Sequence, residues 1–92
     1  MKKRYRSKIR IILDILDGIE KLEYEEGIAL PTKIMYLSNL SYERLNQYLR
    51  ELLNRNLILR DGEGYRLTDE GRKFKFELYR IRRFLEAFGL EL

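Results

Sequence analysis

Ninety-two residues with neither cysteine nor histidine make one small domain and exclude disulfides, Cys/His zinc sites and catalysis by cysteine or histidine. No apolar run, Ile11-Ile12-Leu13 among them, approaches a membrane span, and Asp14 and Asp17 interrupt what would be a signal-peptide core after the basic N-terminus, so an intracellular protein is expected. The formal net charge of +4 is segregated: residues 1–10 hold six basic side chains and no acid, residues 11–30 hold six acids against one lysine, and residues 31–60 and 71–92 are each basic by three, a distribution that suits a polyanionic partner.

Ser7 is a candidate N-cap for a helix running to about Leu22, because Ile9, Ile12, Leu13, Leu16 and Ile19 recur at intervals of three and four. Ile11, Ile15 and Leu22 widen the apolar stripe to roughly half the circumference. That width predicts contact with two neighbours and leaves a spare arc for the final helix or a second subunit. Glu23-Tyr24-Glu25-Glu26-Gly27 is expected to be an acidic loop, and Ile28-Ala29-Leu30 a brief strand. Thr32, after Pro31, begins a second helix of about residues 32–38, with Ile34, Met35 and Leu37 as buried candidates. Ser38-Asn39-Leu40 reads as a tight turn. Ser41 then caps a third helix reaching Asn54, with Tyr42, Leu45, Leu49, Leu52 and Leu53 inward and Tyr48 at the edge. Two short helices joined by so tight a turn are a helix-turn-helix.

The period changes next. Leu57–Arg60, the glycine turn Asp61-Gly62-Glu63-Gly64, and Tyr65–Leu67 read as strand, turn and strand. Thr68 caps a last helix to about Phe88, with Asp69 and Glu70 where the helix dipole favours acids and Gly89 as the stop. The order is that of a winged helix: α+β, mainly helical, with a basic arm over residues 1–6, a winged helix-turn-helix over 7–68, and a C-terminal helix over 69–92 that is a dimerisation candidate.

The stretch Pro31-Thr-Lys-Ile-Met-Tyr-Leu-Ser-Asn-Leu-Ser-Tyr-Glu-Arg-Leu-Asn-Gln-Tyr-Leu49, with Asn56-Leu-Ile58 and Tyr65-Arg-Leu-Thr-Asp-Glu-Gly71, resembles archaeal winged-helix DNA-binding proteins. These include the ArnR-like regulators and small chromatin-type proteins that dimerise through a C-terminal helix. The resemblance covers about residues 9–72 and implies double-stranded DNA as partner and an antiparallel homodimer. Two departures stand out: Asn56 occupies a position that is often glycine, and the C-terminal helix is shorter than a long chromatin-type coiled coil.

In this architecture the second helix of the turn motif enters the major groove. Opposite Leu45, Leu49 and Leu52 lie Glu43, Gln47, Arg50, Glu51 and Asn54, flanked by Arg44 and Asn46. Gln and Asn can bond adenine and Arg guanine, whereas Ser41 and Tyr42 are placed for phosphate oxygens. Glu43 and Glu51 oppose this reading, since carboxylates repel phosphates. Lys33 and Tyr36 on the preceding helix suit phosphates, although Tyr36 equally suits the edge of the core. The wing tip is acidic, so Arg60 and Arg66 at its base are the better candidates. The arm, with Lys2, Lys3, Arg4 and Arg6, either tracks phosphates or is a solvated tail.

Phe74, Leu78, Ile81, Leu85 and Phe88 are spaced four, three, four, three, which is a heptad seam for a homodimer, parallel or antiparallel. Phe76 and Phe84 lie off that seam and are expected to pack against the first helix. The acids at 23–26 and 69–70 have no partner nucleophile and no metal-ligand spacing, so neither an enzyme nor a cofactor is expected. The competing reading is a winged helix that docks on another protein, supported by the acids of the third helix and of the wing.

Overall fold

The computed structural model describes residues 6–92. Its first element, α1 (Lys8–Glu26), starts where Ser7 accepts a hydrogen bond from the Arg10 amide at 3.1 Å and ends on Gly27, left-handed at φ 81°. The helix therefore runs one turn past the sequence expectation, and Glu23 to Glu26 are helical, not loop. Their side chains are polar because this turn overhangs the core, while Glu23 turns inward to the wing. Ile11, Ile15, Leu16, Ile19 and Leu22 are all buried in the chain's own core. The spare arc expected at Ile11, Ile15 and Leu22 is accordingly absent: one domain covers both sides of the stripe.

Next comes α2 (Pro31–Ser38), with Pro31 at its first turn, where the missing N–H costs nothing. Ile34 is fully buried, but Leu37 remains exposed, on the side of Gly18 of α1, where an added Cβ would stand 3.5 Å from the Leu37 Cβ. The turn is made by Asn39, left-handed at φ 54°, whose amide caps α2. Ser41 then caps α3 (Tyr42–Asn54) as expected, its Oγ accepting from the Arg44 amide at 3.2 Å. Leu45, Leu49 and Leu52 are buried, whereas Tyr42 is 61% exposed. Tyr42 thus faces solvent, because the first turn of α3 extends beyond the core it was expected to enter.

The wing is an antiparallel hairpin of β1 (Ile58–Asp61) and β2 (Gly64–Leu67), in register Ile58 with Leu67 and Asp61 with Gly64. The expected strand at Ile28–Leu30 is realised as a single bridge, Ala29 to Tyr65. After the wing, α4 (Asp69–Ala87) is seated by a compact knot. Asn56 is left-handed at φ 60°, a conformation that asparagine tolerates where glycine is often found. Thr68 donates its hydroxyl to the Asn56 carbonyl at 2.7 Å and accepts from the Gly71 amide at 2.9 Å. Gly71 packs against the Leu57 carbonyl so closely that a Cβ would stand 2.0 Å from that oxygen. Steric crowding, not turn geometry, accounts for the glycine in Leu-Thr-x-x-Gly.

From there α4 leans on α1 through polar groups. Lys75 reaches Asp17 at 2.9 Å and also pairs with Glu20, Arg72 reaches Glu20 at 3.2 Å, and the Tyr79 hydroxyl donates to Asp17. Phe76 and Phe84, expected against α1, are both 64% exposed. A ring cannot replace a lysine opposite two carboxylates, so the basic edge of α4 turns toward α1. Phe74, partly buried, packs on the core and Leu78 is buried within the chain, so the first half of the expected heptad seam meets its own domain.

Candidate nucleic-acid interface

The outer surface of α3 is set by its buried leucines. With Leu45, Leu49 and Leu52 held inside, Glu43, Arg44, Gln47, Arg50 and Asn54 are exposed and Asn46 is half-buried at the flank. Arg44 and Arg50 have no ion pair among the described residues. Each therefore presents an uncompensated guanidinium, able to fork onto a phosphate or onto guanine. Tyr36, 80% exposed, and Tyr42 stand out from α2 and the start of α3. A phenol held in water at the edge of a basic surface is a donor suited to phosphate oxygen.

The acids on α3 are in unequal positions. Glu51 is held by Lys8 at 3.0 Å and by Arg55 at 3.1 Å. Its carboxyl lies below the ordinary carboxylate range, chiefly through the hydrogen bond from Lys8, against some desolvation, with Arg55 adding to the effect. The carboxylate thus already has two cationic partners within the protein. Glu43 has no ion pair among the described residues.

Other candidates are drawn into internal contacts. Lys33 pairs with Glu26 at 2.6 Å. Arg66 pairs with Glu23 and with Asp61, each at 3.3 Å. Arg60 lies over the Tyr65 ring, 5.4 Å from its centre. Arg6 is the most committed: it pairs with Asp14 at 2.8 Å and donates to the carbonyls of Ser38 at 2.6 Å and Asn39 at 3.1 Å. A cation there meets the negative end of α2 and pins the chain beside the helix-turn-helix turn. Lys2, Lys3 and Arg4 lie outside the described residues.

Lys8 was missed by sequence reasoning, which counted it as one charge in a basic run. Only its placement across α3 sets it apart. With Arg44, Gln47, Tyr48 and Glu51 it lines a surface notch of about 240 Å³ between α1 and α3.

Three helices, a tight turn between the second and third, and a two-stranded wing define a small helix-turn-helix domain of the winged class. The chain belongs to the winged helix-turn-helix family, whose pattern matches residues 5–86. It is also similar to two uncharacterized proteins of Methanocaldococcus jannaschii. One is 32% identical over 80 residues, covering 86% of this chain and 77% of that protein. The other is 35% identical over 66 residues, covering 72% of this chain but 29% of the relative. The family associates the chain with DNA binding or regulation. No helix among the described residues is long and apolar enough to cross a membrane.

Proposed function

We propose that the chain binds double-stranded DNA with α3 as its recognition helix and acts as a transcriptional regulator or chromatin-associated protein. The observation that carries this reading is the exposed cation set of Arg44 and Arg50 around Gln47, unpaired among the described residues, on the helix that enters the major groove in helix-turn-helix proteins. Tyr36, Tyr42 and the start of α3 flank it toward the phosphates. Asn46 reads a base edge from the flank, and Ser41 serves the helix as its cap.

The same reading includes a homodimer. Beyond Leu78, α4 carries Ile81, Phe84 and Phe88, each about half exposed or more, with the Phe84 and Phe88 rings 5.1 Å apart and Leu90 exposed after them. Such a patch at the free end of a helix fits a second copy of the same patch. The seam supported is therefore Ile81, Phe84, Leu85 and Phe88, shifted from the expected one toward the C-terminus. Two copies joined there would hold two α3 helices on one duplex.

Titration of a labelled duplex across a salt series tests the function. Binding with a clear negative log–log salt slope is expected, with each neutralised phosphate contributing about −0.9. An absence of binding at low salt would favour the protein-docking winged helix instead. Sedimentation equilibrium of the same sample should show a dimer at micromolar concentration.

A further inference from the structure

Lys8 opens α1, outside the recognition helix, yet it stands at that helix's edge. Its ammonium closes one side of the notch whose other walls are Arg44, Gln47, Tyr48 and Glu51. On α3, Gln47 and Tyr48 each lie three or four residues from both Arg44 and Glu51, so the four form one strip running beside the outward face. Gln47 belongs to both the strip and the face.

The acid in this strip has two cations. Lys8 holds Glu51 from α1, and Arg55 holds it from one turn further along α3. Arg44, at the opposite end of the notch, has no acid among the described residues. The Lys8 side chain is 59% exposed, so its pair with Glu51 sits in water, where such pairs form and break at little cost.

We propose that this notch is a binding site for a backbone phosphate of duplex DNA, and that Glu51 is an internal stand-in for that anion. On binding, the phosphodiester takes Lys8 from Glu51 and meets Arg44 on its other side, with Gln47 and Tyr48 as neutral donors along the wall. Arg55 stays on Glu51, so the released carboxylate is not left bare beside the phosphate. Glu51 is thus a brake on affinity. This inference rests on the DNA-binding reading above.

Anisotropy titrations of a mixed-sequence duplex, repeated over a salt series, decide it. The proteins compared are the parent, Glu51→Gln, Lys8→Ala and their double variant, with Glu43→Gln, alone and combined with Lys8→Ala, as a control acid on the same helix. Circular dichroism confirms folding, and Lys8→Gln replaces Lys8→Ala where alanine loosens the start of α1. Glu51→Gln should bind roughly two- to fivefold tighter, the equivalent of one exposed ion pair released. Its log–log salt slope should stay close to the parent's, because the same phosphate is neutralised in both. The gain should vanish when Lys8 is also removed, while the effect of Glu43→Gln should be the same with or without Lys8. Weaker or unchanged binding by Glu51→Gln, or a gain that persists without Lys8, overturns the proposal while leaving DNA binding intact. A parent that binds no duplex at low salt overturns both readings together.

Discussion

Two parts of this molecule carry charge and use it differently. Along the seam between α1 and α4, acids meet cations: Asp17, Glu20 and Glu23 face Lys75, Arg72 and, from the wing, Arg66. The Glu23 side chain is only 8% exposed and accepts, besides two arginines, the Leu67 amide at 2.9 Å. On the outer face of α3, Arg44 and Arg50 have no acid to meet among the described residues. The difference separates charges that hold the fold from charges that remain available to an external anion. Opposite charges inside one chain cancel the field that would draw a polyanion, and unpaired ones leave it standing.

The sharpest way to break this division is to remove the unpaired set. Replacing Arg44 and Arg50 together by alanine should weaken duplex binding by about 1–3 kcal/mol for each guanidinium that reaches a base or a phosphate. The melting temperature should hardly move, because neither guanidinium has an internal ion partner among the described residues. A double variant that is folded and binds as tightly as the parent would remove α3 from the interface.

The converse change belongs to the paired set. Glu23→Ala orphans the Leu67 amide and frees Arg66 and Arg72. Urea unfolding should show a loss of about 1–3 kcal/mol, most of it from the part-buried amide, since the arginines are half exposed and can turn to water. Duplex affinity, measured where the variant is still folded, should stay level or rise slightly as the two arginines are released. A stability equal to the parent's would show that Glu23 ties nothing together.

How far the sequence could be read follows from the range of the interactions involved. Ser7, Ser41 and Thr68 were legible as caps because capping is local: each accepts from an amide three residues on. The leucines of α3 were legible because spacing alone selects a face. Glu23 was read as loop because its reason for being helical lies 44 positions away, at the Leu67 amide. The expected seam on α4 was hard to read for a related reason. Heptad spacing identifies which side chains share a stripe, not which neighbour covers them, and here the domain takes Phe74 and Leu78 while Ile81 and Phe88 stay outside. For the candidate interface, Arg44, Gln47 and Arg50 followed from position opposite the leucines. Arg6 and Lys8 looked alike in a basic run, yet one caps the end of α2 and the other reaches α3. Tertiary placement alone distinguishes them.

The smallest expected effect probes the seam through pH. Burial and the hydrogen bond to Asp17 both raise the Tyr79 phenol above its ordinary value. For Lys75, burial acts against the ammonium, but the hydrogen bonds to Glu20 and Asp17 outweigh it and raise that group as well. Both groups therefore hold their protons more tightly in the folded chain than in the unfolded one. Their stabilisation is complete below the unfolded values, about 10 for each, and is lost as pH rises through the higher folded values. Melting temperature should accordingly be insensitive to these two groups near neutrality and fall above about pH 10. Tyr79→Phe keeps the ring and deletes the hydroxyl, so it should lower stability by about 1 kcal/mol at neutral pH. It should also flatten the alkaline fall, since one of the two titrating groups is gone and the carboxylate of Asp17 still holds Lys75. Parent and variant curves that run parallel from pH 8 to pH 11 would mean that the phenol contributes packing alone, and that the paired charges fix α4 without it.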